Sequence, residues 1–267
     1  MTKISILGCG WLGLPLAKVL LQNGFGVKGS TTSTEKLTDL KQSGIEPFLI
    51  SLSEKETIGA FSEFILDSEI LIINIPPKLR SPEKENFVAK IRHTIPFIEQ
   101  STIKNVLFIS STSVYNDAVQ LVYHDTPPNP DTESGKQLLE TEQLLQNNTH
   151  FKTTILRFGG LIGQDRHPVK FLAGRDNLDH PEAPINLIHQ NDCIGIILQI
   201  IATASWNETF NAVTPFHPSR KKYYTQKAID MNLPLPQFTF ESDAGGKIIL
   251  SDYLETILKY TFTQPKL

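Results

Sequence analysis

The chain has 267 residues, 40% hydrophobic and 20% charged, with a formal net charge of −3. Those values suit a soluble globular protein with one large α/β domain, alone or with a small appendage, and give no electrostatic reason to expect nucleic acid as a partner. Two cysteines, Cys9 and Cys193, form neither a Cys-x-x-Cys pair nor a metal-spaced set, so neither a disulfide framework nor a metal site is expected. No apolar run reaches membrane-spanning length, and a first strand starting almost at Met1 leaves no room for a signal peptide. The expected compartment is the cytoplasm, with no membrane partner.

The first element is the most informative. A short apolar run, Ile4-Ser5-Ile6-Leu7, leads into Gly8-Cys9-Gly10-Trp11-Leu12-Gly13, and apolar residues at helical spacing follow at Leu12, Leu16, Val19 and Leu20. Strand, Gly-x-Gly-x-x-Gly turn and helix N-terminus come in the order a dinucleotide site needs. Gly8 suits the tight turn, Gly10 lets a diphosphate approach the backbone, and Gly13 lets the helix pack near the strand. Free N–H groups and the helix dipole favour the anion there. The alternative is a glycine-rich turn in an ordinary α/β protein.

Strand and helix patterns then alternate. Strands are expected at 26–29, 46–52, 69–75, 105–109 and 152–157, and helices at 35–42, about 83–99 and 133–146. Continuous apolar strands between helices predict a parallel sheet covered on both faces, with ligands at the carboxyl ends of its strands. After residue 158 the pattern loosens. Residues 158–183 are loop-rich and 184–189 are strand-like. Asp192 is placed to cap a helix through about Ala202. A strand at 209–213 and a helix near 251–259 complete the chain. The predicted organisation is a Rossmann-type, doubly wound parallel sheet with a small C-terminal substrate lobe. Residues 1–158 plus about 184–213 make the dinucleotide domain, and about 159–183 plus 214–267 the lobe.

Four segments carry a resemblance. Gly8–Gly13 looks like a cofactor loop, and Ile109-Ser110-Ser111-Thr112-Ser113-Val114-Tyr115 looks like a Ser-Ser-x-x-Val-Tyr strand end. Leu156-Arg157-Phe158-Gly159-Gly160-Leu161-Ile162-Gly163 and Asn186-Leu187-Ile188-His189-Gln190-Asn191-Asp192 match two later family segments. In order and spacing the chain resembles the atypical extended short-chain dehydrogenase/reductases, relatives of NAD-dependent epimerase/dehydratases. It departs from the common Gly-x-x-Gly-x-x-Gly loop in having Leu7 at the first glycine position.

The resemblance implies a Tyr and a Lys four residues apart on one helix face for acid–base work. The segment Ser134-Gly135-Lys136-Gln137-Leu138-Leu139-Glu140-Thr141-Glu142 aligns with that helix and puts Ser134 at the tyrosine position and Leu138 at the lysine position. Lys136, two residues from Ser134, faces elsewhere. By resemblance Ser111 is the hydroxyl that steadies the reacting oxygen. Tyr115, Tyr123, His124, Asp125 and His167 lie in segments expected near the cleft and are candidates for a different acid or base, Tyr115 foremost. Two readings follow: an oxidoreductase or epimerase/dehydratase-like enzyme with non-standard catalytic residues, acting on a sugar nucleotide or other small carbonyl or hydroxyl compound, or a dinucleotide-binding sensor without turnover.

For the cofactor, the second strand ends in Gly29-Ser30-Thr31-Thr32-Ser33-Thr34 with no acid before Glu35. Carboxylates at this point usually hold the ribose of NAD. Hydroxyls and N–H groups, with Lys36 near, suit a 2′-phosphate, so NADP is expected over NAD. These residues could also merely cap the next helix. Ile75, Pro76 and Pro77 are expected to make apolar contact with the cofactor, Ser110 to bind it, and Phe158, Gly159 and Gly160 to line its nicotinamide end. Trp11 either shields the diphosphate or packs on the small lobe. Arg166, Lys170 and Arg175 are either an anion site or ordinary surface. A homodimer is a family expectation only.

Overall fold

The computed structural model describes residues 1–77, 85–118, 120–239 and 245–267. Seven strands build the central sheet: β1 (Lys3–Leu7), β2 (Gly26–Thr31), β3 (Glu46–Leu49), β4 (Ile70–Ile73), β5 (Asn105–Ser111), β6 (Lys152–Phe158) and β7 (Thr209–Ala212). Their spatial order is β7-β6-β5-β4-β1-β2-β3, and every pairing is parallel. The order reverses between β1 and β4, which makes the carboxyl ends of those two strands the topological switch point.

Ten helices are described: α1 (Gly13–Gln22), α2 (Glu35–Gln42), α3 (Phe61–Ile65), α4 (Phe87–Arg92), α5 (Ile95–Glu99), α6 (Glu133–Gln146), α7 (Val169–Leu172), α8 (Gln190–Thr203), α9 (Arg220–Asp230) and α10 (Asp252–Leu258). The period-2 geometry of a strand sends alternate residues to opposite faces. Ile4, Ile6, Ile72, Leu107 and Leu156 pack with Leu16 and Leu20 of α1, Ile197 of α8 and Leu258 of α10. Leu71, Ile73, Val106, Phe108 and Ile155 pack on the other side with Phe64 of α3, Ile91 of α4, and Leu138 and Leu145 of α6. Both faces are covered, so the strands read as unbroken apolar runs. Among the described residues no helix is long and apolar enough to cross a membrane.

A smaller layer sits at the carboxyl end of the sheet. Gly160–Ile162 pairs in parallel with Leu187–His189, and Gln120–Val122 with Lys247–Ile249. Ile162, Val169, Ile185, Leu187, Tyr223 and Tyr224 form a separate apolar cluster beneath α7 and α9.

Three local expectations are corrected. The third strand stops at Leu49. Ser51–Leu52 pairs antiparallel with Thr57–Ile58, and Gly59, at φ +106°, packs so close to Leu49 that a Cβ would lie 2.2 Å from the Leu49 carbonyl oxygen. The helix expected over 83–99 is two helices within the described residues, which exclude Glu83 and Lys84. Pro96 at the start of α5 lacks an N–H to continue the ladder, and Thr94 Oγ1 donates back to the Ile91 carbonyl at 2.7 Å. Asp192 does not cap α8. His189 does, accepting the Asn191 N–H on Nδ1 at 3.2 Å. The fully buried Asp192 carboxylate instead accepts from the Tyr260 hydroxyl, the Thr263 N–H and hydroxyl, and the Gln264 N–H, which ties the C-terminal segment to α8.

Candidate functional site at the glycine turn and the adjoining cleft

The turn after β1 is built as its glycines require. Gly8 takes φ +105°, and a Cβ there would lie 2.6 Å from the Asn74 carbonyl oxygen. A Cβ on Gly13 would sit 2.2 Å from the Gly8 carbonyl oxygen. A Cβ on Gly10 would meet nothing within 4 Å. The first and third glycines are thus forced by close packing, while the second faces open space at the helix N-terminus. Leu12, which precedes α1, makes no side-chain cap. The first-turn N–H groups of a helix have no intrahelical acceptor, so they are available to an anion.

Two clamps fix this turn. Ser30, at the end of β2, accepts the Gly8 N–H on its hydroxyl at 2.9 Å, while its carbonyl accepts the Cys9 N–H at 2.8 Å. Asn74, at the end of β4, donates from Nδ2 to the Gly8 carbonyl at 3.0 Å. Ser30 is 2% exposed, so its hydroxyl supports the turn and does not reach outward. Cys9 and Leu12 are also buried and offer only backbone to a ligand. Burial pushes the Cys9 thiol up to about 12, offset in part by its hydrogen bond at Ser30, so it stays neutral.

Beyond Ser30, Thr31 spends its hydroxyl on the Ser33 N–H at 3.1 Å. Thr32 and Lys36 are exposed and Ser33 is half-buried. No side chain of this stretch caps α2. Ile75, Pro76 and Pro77 leave the sheet beside the turn, and the two prolines present no N–H.

Trp11 is gripped from the other side. Its Nε1 donates to Asp165 at 2.9 Å, the Arg166 guanidinium lies 5.0 Å from its ring centroid, and its carbonyl accepts from Gln190 at 2.7 Å. Trp11 therefore packs against the 163–166 turn. Arg166, Lys170 and Arg175 are exposed.

The strand end at 109–115 divides between core and cleft. The Ser110 hydroxyl donates to Glu142 at 2.5 Å, and Glu142 forms a buried forked pair with Arg157 whose shortest contact is 2.6 Å. Arg157 also donates to the Tyr115 hydroxyl at 2.6 Å, and that hydroxyl donates to Asn211 at 3.0 Å. Tyr115 is 1% exposed. Burial pushes its hydroxyl above its ordinary range, and Arg157 only partly offsets this. The expectation of Tyr115 as an acid or base is corrected: its hydroxyl is locked inside the core. Ser110 and Phe158 are buried as well, so they meet the cleft through backbone at most.

Ser111 and Ser113 remain half-buried on the cleft side. They line a cavity of about 240 Å³ together with Thr112, Tyr115, Asp117, Asp131, Thr132, Gly159, Gly160 and Lys247, although the Tyr115 hydroxyl itself is held by Arg157 and Asn211. Gly159 is required there, since a Cβ would lie 2.7 Å from the Asn186 carbonyl oxygen. Helix α6 approaches the same wall: a Cβ on Gly135 would lie 2.2 Å from the Ser113 carbonyl oxygen. Ser134 is half-buried, and Leu138 is 4% exposed within the core. Among the described residues no cluster of His, Cys, Asp or Glu could hold a metal.

Other acid–base candidates lie elsewhere. The His124 ring stacks on Tyr253 at 3.8 Å. Tyr123 and Asp125 are not on the cleft wall. His167 belongs to the small apolar cluster, accepting the Val169 N–H on Nδ1 and contacting the Tyr223 hydroxyl through Nε2 at 3.0 Å. Burial, then the charges of Lys227 and Lys170, pull its pKa down to about 4. Its folded value thus lies below the unfolded one, so stability holds above about pH 6.5 and falls as pH drops towards 4, by up to about 3 kcal/mol. Urea unfolding of the wild type and His167→Gln at pH 7 and 4.5 tests this. The gap between the two proteins should move in favour of the variant at low pH, and a gap independent of pH would remove His167 from the account.

No family model matches the chain. It is 35% identical over 268 residues to protein YeeZ of Escherichia coli K12, spanning 99% of this chain and 97% of that protein. The chain belongs to the YeeZ family. Two solved structures share the fold of this chain. A short-chain dehydrogenase/reductase superfamily protein from Agrobacterium tumefaciens with bound NAD superposes with a TM-score of 0.78 at 17% identity, covering 97% of this chain and 92% of that one. UDP-glucuronic acid 4-epimerase from Bacillus cereus, in complex with NAD, gives 0.78 at 18% identity, covering 98% and 92%. This YeeZ-family chain shares the Rossmann-type fold of those two structures, as expected from its four motif segments.

Lys247 escaped the sequence reading, as did Asn74 and the Glu142–Arg157 pairing. Asn74 follows a strand that ends in a recognisable Pro-Pro, so its place at the switch point could have been inferred. Lys247 sits in no motif, and only the fold brings it to Ser111.

Proposed function

We propose that this YeeZ-family protein binds a nicotinamide dinucleotide across the switch point and acts on a small hydroxyl- or carbonyl-bearing compound, of the sugar or sugar-nucleotide class, in the adjoining cleft. The open space at Gly10, between two glycines forced by packing, is the observation that carries the reading. A Cβ would fill the place where a diphosphate meets the helix N-terminus, so the residues present fit the group. The dinucleotide, when bound, supplies hydride transfer. The chain supplies the turn N–H groups, an apolar wall at Ile75–Pro77, and the Ser111 hydroxyl facing the substrate. The absence of a carboxylate at the end of β2 favours NADP over NAD.

On this reading the acid–base pair of relatives is replaced by Ser134 and Leu138. Leu138 is in the core and Tyr115 is locked, which also supports a second reading, a dinucleotide sensor without turnover.

Fluorescence titration with NADPH and NADH decides the first step, with Trp11 as the reporter beside the turn. Saturable quenching, stronger for NADPH, is expected. Absence of binding of either, checked by calorimetry, would overturn the proposal. A preference for NADH would overturn the NADP assignment alone. NADPH consumption with a carbonyl or sugar-nucleotide panel, weakened in Ser111→Ala, separates enzyme from sensor.

A further inference from the structure

The cleft beside Ser111 contains a cation with no motif to announce it. Lys247 has only 11% of its side chain exposed and lines the cleft, its ammonium reaching two other residues of the same wall, Asp117 and Tyr115. Its backbone is held on both sides. The Asn186 side chain donates to the Lys247 carbonyl at 2.8 Å and accepts the Ile249 N–H at 2.9 Å, so it pairs with this strand as another strand would. The other edge of Lys247–Ile249 pairs with Gln120–Val122. The ammonium donates to the Tyr115 carbonyl at 2.5 Å. A lysine fixed in this way has little freedom to move into water, and an ammonium so shielded needs an anionic partner.

The partner it has is Asp117, whose carboxylate lies 3.0 Å away and is 81% exposed. An ion pair with one partner so exposed is weak and readily exchanged. We propose that Lys247 is the anion-binding residue of the substrate cleft and that Asp117 occupies its place until a ligand carboxylate or phosphate displaces it. The ligand is then a small polyol or carbonyl compound bearing an oxyanion group, held with that group on Lys247 and its hydroxyls towards Ser111 and Ser113. Asp131, the other carboxylate on the cleft wall, disfavours a second negative group on the ligand. This assignment of substrate class rests on the cleft being the substrate site of the proposed function.

Three probes that share a ring and differ in charge test it: D-glucose, D-glucuronate and D-glucose 6-phosphate, titrated into the full chain with and without NADP⁺ and read by saturation-transfer NMR. At least one charged probe should bind ten-fold or more tighter than glucose, and which one does so distinguishes carboxylate from phosphate. Lys247→Gln should abolish the difference while leaving NADPH affinity within two-fold. Asp117→Asn should tighten the charged probe several-fold, and it tests the proposal independently should Lys247→Gln fail to fold. No preference for charge in the wild type, or a preference that survives Lys247→Gln, would overturn the proposal. Charge preference in a protein that binds neither NADPH nor NADH would remove the cofactor reading and leave the anion site standing.

Discussion

Arg157→Met is expected to cost about 3–5 kcal/mol of folding stability, among the largest single losses available in this chain. Arg157 and Glu142 are 6% and 1% exposed, and their forked contact is the centre of a network that also holds Ser110, Tyr115 and Asn211. Removing the guanidinium leaves the Glu142 carboxylate in the core with only the Ser110 hydroxyl, and takes a donor from the Tyr115 hydroxyl. The loss therefore reflects an uncompensated buried charge more than the strength of the pair. The double variant Arg157→Met, Glu142→Leu removes both charges and should recover most of the loss, because two buried ions also carry a desolvation cost. Urea unfolding of the four proteins in the cycle measures this directly. A double variant as unstable as Arg157→Met would show that the network holds the fold through Tyr115 and Asn211 rather than through charge.

The same network explains why part of the site could be read in advance and part could not. The glycine turn, α2 and α6 are local: each is encoded by a few neighbouring residues, and residues 35–42 and 133–146 form the helices their patterns predict. Gly8 and Gly13 are required by contacts within the strand–turn–helix unit and by one crossing strand. Tyr115 is different. Its motif position promised a hydroxyl in the cleft, yet the partners that fix it, Arg157 and Asn211, lie 42 and 96 residues away. Lys247 reaches Tyr115 across 132 residues. Asp192, whose place before an apolar helix is that of a cap, is claimed by Tyr260, Thr263 and Gln264 once the chain end folds back. In each case a polar group with a plausible local role is taken by a distant partner, because a buried polar atom left unpaired is costly. Local pattern therefore marks out the candidate site on the sheet, and long-range polar pairing chooses which side chains face it.

Gly10→Val and Gly13→Ala separate the two demands placed on the turn. A side chain at Gly10 enters open space, and the residue has no positive φ, so Gly10→Val should leave stability within about 0.5 kcal/mol of wild type. It would nevertheless occupy the approach to the α1 N-terminus, and NADPH affinity should fall at least about 100-fold, roughly 2.7 kcal/mol. Gly13→Ala is the reverse case. Its methyl would sit 2.2 Å from the Gly8 carbonyl oxygen and 3.0 Å from Asn74 Nδ2, so α1 must move away from β1 and the Asn74 clamp must loosen. A loss of about 1–3 kcal/mol is expected from such overpacking, together with the loss of NADPH binding. Urea midpoints and NADPH titrations on both variants give four numbers. Weak binding on an intact fold in Gly10→Val means that the diphosphate site lies at the turn itself. Wild-type affinity in that variant would mean that the space beside Gly10 is left empty by the cofactor, and that any dinucleotide enters by another edge of the sheet.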